Sequence, residues 1–125
     1  MMNTITVEEL LNINTHTITI LDIRNHNDFV KGTMPHSLNL PMEQVATEFH
    51  TLPTDRPIYI LCHTGDKSRD ITEYLGDRGF ESYNIEGGYR SYLRLELSKL
   101  MTQEDLLLEK TKDIERSLIK KYRKK

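Results

Sequence analysis

One stretch of this chain has the residue types and spacing for nucleophilic chemistry. Cys62 follows the apolar run Ile58-Tyr59-Ile60-Leu61 and opens the loop Cys62-His63-Thr64-Gly65-Asp66-Lys67-Ser68, after which helix-forming residues begin. The carboxyl end of a buried strand is where α/β sheets place their ligands. A turn at Gly65 leading into a helix aims successive backbone N–H groups at one point, a nest that favours negative charge. Thiols held in such nests ionise at about pH 3.5–7.5 instead of about 8.5, and the thiolate is the nucleophile. Lys67 and Arg69 add positive charge, which suits both a thiolate and an anionic substrate. The same placement also fits a structural cysteine, a small hydrophobe at a strand end. Spacing alone leaves both readings open.

The elements that must hold this loop read as alternating β and α units. Thr17–Ile23, Ser37–Leu40 (stopped by Pro41), Ile58–Leu61 and Ser82–Ile85 have strand character, and Ile58–Leu61 is apolar on both faces, as in a sheet covered by helices. A short helix is expected at Glu8–Leu11, where Thr6 and Glu9 suit a capping box. Others are expected at Asn27–Lys31 ended by Gly32, at Met42–Phe49, and at Ser68–Leu75 closed by Gly76 or Gly79. A further one runs from Tyr89 to Leu100, after the turn Glu86-Gly87-Gly88. Repeated units of this size predict an α/β fold with a mainly parallel sheet of about five strands flanked by helices. An extra C-terminal helix is expected after Thr102 as N-cap, with Glu104 and Asp105 in its first turn. Its stripe of Leu107, Thr111, Ile114 and Leu118 suits packing on the body or against the same helix of a second copy, as in a homodimer.

The whole chain has 125 residues, enough for one domain of the usual size and for a core built without disulfides or metal. One Cys excludes an internal disulfide, and no Cys/His cluster has zinc-ligand spacing, so no metal site is expected. The start, MMNTITVEEL, lacks a basic segment followed by an apolar run, and nowhere do about 18 apolar residues run together. The expectation is a cytoplasmic protein in a reducing compartment, where a lone thiol stays free. The net charge of -2 hides an asymmetry. Six of the 17 basic residues lie in Arg116–Lys125, which has no acid, leaving eleven against 19 acids in the body. No aromatic-interleaved basic surface accompanies this tail, so it reads as a solvated helix end, with neither nucleic acid nor membrane as partner.

Four stretches resemble the rhodanese-like domains in their single-domain bacterial form. Leu21-Asp22-Ile23-Arg24 with Asp28-Phe29 and Gly32 is similar to that family's L-D-V/I-R…D/E-F/Y…G. Gly32-Thr33-Met34-Pro35-His36-Ser37-Leu38-Asn39-Leu40-Pro41 resembles G-H-I-P-G-A-x-N-I/L-P. The Cys62–Ser68 loop resembles C-x-x-G-x-R-S, and Gly79-Phe80 with Glu86-Gly87-Gly88-Tyr89 resembles the family's ending. Order and spacing match over about residues 4–97, dividing the chain into a domain at 1–100 and a helical extension with a basic end at 101–125.

The resemblance implies sulfurtransferase chemistry. Cys62 would take the outer sulfur of thiosulfate or a persulfide and pass it, as a persulfide, to a thiol or other thiophilic acceptor. His63, Thr64, Gly65, Asp66, Lys67 and Ser68 would form the active loop around a small anionic donor. No metal or organic cofactor is implied. Asp22 and Arg24 would pair with each other or with the loop and support it from below, beside Arg69. Neighbours in a curled loop usually point apart, so His63 is placed there without a general-base role. Lys67 stands where many members have Arg, replacing a flat bidentate clamp with a point charge and leaving donor preference open. Thr33 and His36 replace frequent His and Gly, read as local turn changes, and Tyr89 and Tyr92 stand where many members have Trp. His26, His36 and His50 are expected at the surface. A cysteine phosphatase would need Arg six positions after the Cys, where Ser68 stands and Arg69 is one residue late. The rival from another class is a non-catalytic binding or dimerisation module of the same fold.

Overall fold

Five short strands carry the framework: β1 (Thr4–Ile5), β2 (Thr19–Asp22), β3 (Ser37–Asn39), β4 (Ile58–Leu61) and β5 (Ser82–Ile85). They form one sheet in the order β1-β5-β4-β2-β3, and every pair is parallel. These are features of a computed structural model that describes residues 3–101 and 103–122, without the side chains of residues 103–107, 121 and 122. β4 lies between β2 and β5, with Leu21 opposite Ile60 on one side and Asn84 opposite Ile60 on the other. Alternation sends its side chains to opposite faces. Ile58, Ile60 and Cys62 join one buried cluster with Leu21, Ile71 and Leu75, whereas Tyr59 and Leu61 join the other with Val7, Leu10 and Ile85. A strand buried on both faces fits the continuous apolar run expected for it.

Helices cover both faces: α1 (Val7–Leu11), α2 (His26–Lys31), α3 (Val45–Glu48), α4 (Lys67–Gly76) and α5 (Gly88–Leu100). The capping box at α1 forms as expected, Glu9 N–H donating to Thr6 Oγ1 at 3.1 Å and Thr6 N–H to Glu9 Oε1 at 3.1 Å. That backbone donor holds the Glu9 carboxyl below the usual carboxylate range. Asn25 caps α2 by accepting from Asp28 N–H at 2.8 Å, and Gly32 ends it.

Three expectations need correction. β1 is not among the strands read from the sequence, because two residues carry no periodic signal; its pairing with β5 makes it a strand. Thr17 does not belong to β2 but to a 3-10 turn, Thr15–Thr17, where its hydroxyl donates to Asn14 O at 2.7 Å. The single helix expected at Met42–Phe49 is broken into a 3-10 turn at Met42–Gln44, α3, and a second 3-10 turn at Phe49–Thr51. Thr47 and Thr51 return their hydroxyls to Gln44 O and Glu48 O, bonds that compete with helical geometry.

Two units divide the chain, Met1–Leu95 and Glu96–Lys125. The second contains α6 (Gln103–Tyr122). Within its stripe Thr111, Ile114 and Leu118 are exposed. The expected cap at Thr102, the side chains of Glu104, Asp105 and Leu107, and the end Arg123–Lys125 lie outside the described residues. No helix among the described residues is long and apolar enough to cross a membrane.

Candidate active site

Cys62 leaves the carboxyl end of β4 and lines a cavity of about 740 Å³, and is itself only 5% exposed. Gly65 N–H donates to Cys62 Sγ at 3.0 Å, and Cys62 Sγ–H donates to Ser68 Oγ at 3.2 Å. The loop therefore curls so that one backbone donor meets the sulfur, a single member of the row of N–H groups expected from the sequence.

Two glycines make that curl sterically feasible. Gly65 has φ 91°, in the left-handed region, and a Cβ there would come within 2.8 Å of Gly87 N. Gly88, φ 59°, lets the start of α5 approach the loop so closely that a Cβ would strike the Cys62 and His63 carbonyls. The first N–H groups of α5 use this approach: Tyr89 N–H donates to Cys62 O at 2.8 Å and Arg90 N–H to His63 O at 3.1 Å. The β5–α5 turn thus clamps the Cys62 loop from behind.

Asp22 and Arg24 support the same region. Both are buried, at 0% and 6% exposure, and form a bidentate pair with Arg24 Nε on Oδ1 at 3.0 Å and Nη2 on Oδ2 at 2.7 Å. Arg24 Nη2 also donates to Gly32 O at 2.6 Å, and its guanidinium lies 4.2 Å over the Tyr89 ring. Thr33 Oγ1 donates to Asp22 Oδ2 at 2.8 Å, so Thr33 does more than shape a turn. Asn39 Nδ2 donates to both Asp22 O and Arg24 O. The pair binds the end of β2 to the α2–β3 loop, to β3 and to α5, and Arg24 also reaches the cavity wall.

The remaining expected residues divide. His63, Thr64, Asp66 and Lys67 line the cavity. His63 points to Asp28, its Nε2 3.2 Å from Oδ2, rather than to the sulfur. Asp66 accepts from Thr64 Oγ1 and leaves the start of α4 without a side-chain cap. Ser68 is buried, whereas Arg69 is exposed and does not line the cavity, so no guanidinium occupies the position a phosphatase requires. His26, His36 and His50 are exposed, and His36 adopts φ 66° where the resemblance has glycine. Tyr89 and Tyr92 stack on each other and pack against the second core cluster. Sequence reasoning missed Ile23, Asn25, Met42, Glu43 and Ala46 on the cavity wall, since the α3 segment approaches the loop only through the fold. It also missed Asn84, which accepts a hydrogen bond from Ser68 Oγ. A polar residue within the otherwise buried Ser82–Ile85 strand was the available signal, because buried amides need partners.

The family model described as rhodanese-like domain matches residues 6–95. The protein named thiosulfate sulfurtransferase GlpE of Shewanella oneidensis is 32% identical over 76 residues, 60% of this chain and 75% of that protein. A protein named sulfurtransferase from Allochromatium vinosum is 30% identical over 81 residues, 64% of this chain and 76% of its own. Among solved structures, the rhodanese-like domain protein of Staphylococcus aureus superposes with a TM-score of 0.68 at 28% identity, covering 73% of this chain and 91% of that one. A rhodanese-related protein from Thermoplasma volcanium gives 0.70 at 25% identity, covering 74% and 91%. With the all-parallel sheet and the Cys62 loop in place, the chain belongs to the rhodanese-like domain family.

Proposed function

We propose that the protein is a sulfurtransferase that carries sulfane sulfur on Cys62. The observation that supports this most directly is Cys62 in the lining of a cavity, its sulfur 3.0 Å from the Gly65 N–H. The Cys62 thiolate attacks the outer sulfur of the donor. A new S–S bond forms as the donor's own sulfur–sulfur bond breaks, and sulfite, or the thiolate of an organic persulfide, departs with the electron pair. An acceptor thiolate then attacks the outer sulfur of the Cys62 persulfide, and Cys62 leaves as a thiolate. Two half-reactions replace one difficult exchange. The Gly65 N–H stabilises the sulfur whenever it bears charge. Such chemistry suits a reducing, cytoplasmic setting, where external thiols serve as acceptors.

The cavity is of a size that elsewhere holds organic ligands, about 300–1,000 Å³, so an organic persulfide fits as readily as thiosulfate. Its charged lining is mixed: Lys67 shares it with Glu43 and Asp66, while Arg24 is already paired with Asp22. Lys67 is thus the cation left for an anionic donor. Lys67→Ala is expected to raise the KM for thiosulfate about tenfold, the loss of one charge-assisted contact, with kcat little changed. Steady-state kinetics with thiosulfate and cyanide measure both.

The direct test of the function is intact mass spectrometry of the reduced protein after incubation with thiosulfate or an organic persulfide. One added sulfur atom on Cys62, removed again by cyanide, is the expected result. A folded, reduced protein that gains no sulfur from either donor refutes the reading and leaves a binding module.

One observation favours an assembly role alongside catalysis. Leu108, Ile114, Leu118 and Ile119 of α6 are exposed, and the sequence of this segment runs from acidic (Glu104, Asp105, Glu109) to basic (Arg116 to Lys125). We infer that α6 pairs antiparallel with α6 of a second copy, acidic start against basic end. Sedimentation of the full chain should give a dimer, converted to monomer by Ile114→Glu with Leu118→Glu. A wild-type monomer at about 100 μM, a concentration that would populate a micromolar dimer, refutes the pairing.

A further inference from the structure

Asn84 is a fully buried polar residue of β5, next to β4 and β1, and is linked to Cys62 through Ser68. Its Oδ1 accepts from Ser68 Oγ–H, and Ser68 Oγ in turn lies 3.2 Å from Cys62 Sγ. The other half of the same carboxamide is unsatisfied. Among the described residues, Asn84 Nδ2 is the one buried side-chain nitrogen or oxygen without a hydrogen-bond partner. Such an atom costs free energy and calls for a reason.

The donors run in one direction, from the Cys62 thiol to Ser68 Oγ and from the Ser68 hydroxyl to Asn84 Oδ1. That order satisfies a thiol and fails a thiolate. A thiolate has no proton to give and needs donors, and Ser68 has a single O–H. While that proton rests on Asn84, the sulfur retains the Gly65 N–H alone from this pair. Turning the carboxamide over resolves the conflict: Nδ2 donates to Ser68 Oγ, and the Ser68 proton swings to sulfur. Oδ1 then becomes the unpaired atom in place of Nδ2. Each arrangement leaves one carboxamide atom unpaired, so neither is favoured on that count. A partner for Nδ2 would have locked the amide in the first arrangement.

We propose that Asn84 is a positioning residue whose carboxamide reverses when Cys62 ionises, turning the Ser68 hydroxyl from Asn84 to the sulfur. The proton lost by Sγ passes to solvent through the cavity, and no electrons are exchanged. Resting on the persulfide cycle proposed above, the reversal serves twice per turnover: once when the thiolate attacks the donor, and again when the acceptor expels it.

The test uses the full-length, reduced protein. The side-chain amide of Asn84 is followed in ¹⁵N–¹H spectra through pH, while the iodoacetamide alkylation rate reports Cys62 ionisation. The Asn84 amide signals are expected to move with the same midpoint as alkylation. Signals that stay fixed through that midpoint overturn the proposal. In Cys62→Ser, which lacks the ionising group, they should stay fixed; movement there assigns the change to another group and also overturns it. Ser68→Ala leaves the charged cavity residues Arg24, Glu43, His63, Asp66 and Lys67 in place. It is expected to slow alkylation at pH 7 about tenfold, by removing one donor to a charged atom. An unchanged rate means that the hydroxyl never turns to sulfur, and the proposal fails. These readouts stand whether or not Cys62 takes up sulfur, so failure of the sulfurtransferase reading is seen separately in the mass measurement.

Discussion

Cys62→Ser is expected to abolish sulfur transfer from thiosulfate to cyanide, by at least about three orders of magnitude, while leaving the fold intact. A serine hydroxyl at neutral pH is a far weaker nucleophile than a thiolate, and it cannot form the persulfide. The fold survives because the substitution is nearly isosteric. Oxygen retains a donor in Gly65 N–H and a neighbour in Ser68 Oγ. The melting temperature should stay within about 8 °C of wild type, the shift that about 1 kcal/mol produces in a domain of this size. Thiocyanate production and a thermal melt on the same sample measure both parts. A Cys62→Ser variant that retained transfer would remove Cys62 from the mechanism, since the chain has no other thiol.

Arg24→Ala is expected to destabilise the protein by about 3–5 kcal/mol, the cost of leaving a buried charge unpaired. Asp22 is wholly buried, and its carboxylate is held by Arg24 Nε and Nη2 and by the Thr33 hydroxyl. Without the guanidinium, Asp22 keeps its burial, the backbone N–H of position 24 and the Thr33 hydroxyl, but loses its counter-charge. The damage reaches the site because Arg24 also ties Gly32 O and packs over Tyr89, whose N–H holds the Cys62 carbonyl. Asp22→Ala should cost a similar amount for the mirror reason. Replacing both, as Asp22→Leu with Arg24→Met, should lie closer to wild type than either single change, because an apolar pair leaves no orphaned charge. Chemical denaturation of the four proteins tests this. Single variants within about 1 kcal/mol of wild type would mean that water or relaxation satisfies the lone charge.

The alternating elements were legible because their signals are local. Thr6 and Glu9 form a capping box three residues apart, and Ile58–Leu61 announces a doubly buried strand by being apolar throughout. The Cys62 loop was legible for the same reason: cysteine, Gly65 and Ser68 sit within seven residues, and the curl that joins them is made by that short segment itself. What escaped was nonlocal. β1 becomes a strand only against β5, and the expected helix at Met42–Phe49 breaks where threonine hydroxyls return to the backbone while Val45 is buried. Glu43, Met42 and Ala46 reach the cavity because that segment is tied beside the end of β2, Met42 N–H donating to Ile23 O, which no spacing along the chain encodes.

The sequence alone determined the α/β class, the position of the thiol at a strand end and the turn at Gly65 that faces it, because backbone conformation over a few residues sets each of these. Only the tertiary structure decided which side chains share the sulfur's surroundings. Ser68 and Asn84 lie 16 residues apart, and Arg24 and Tyr89 are farther apart still, yet all four converge on Cys62 or its loop. Their meeting depends on β5 pairing beside β4 and on glycine at 88 admitting α5 to the loop. Packing and burial decide such contacts, and with them which polar atom is left without a partner beside the nucleophile.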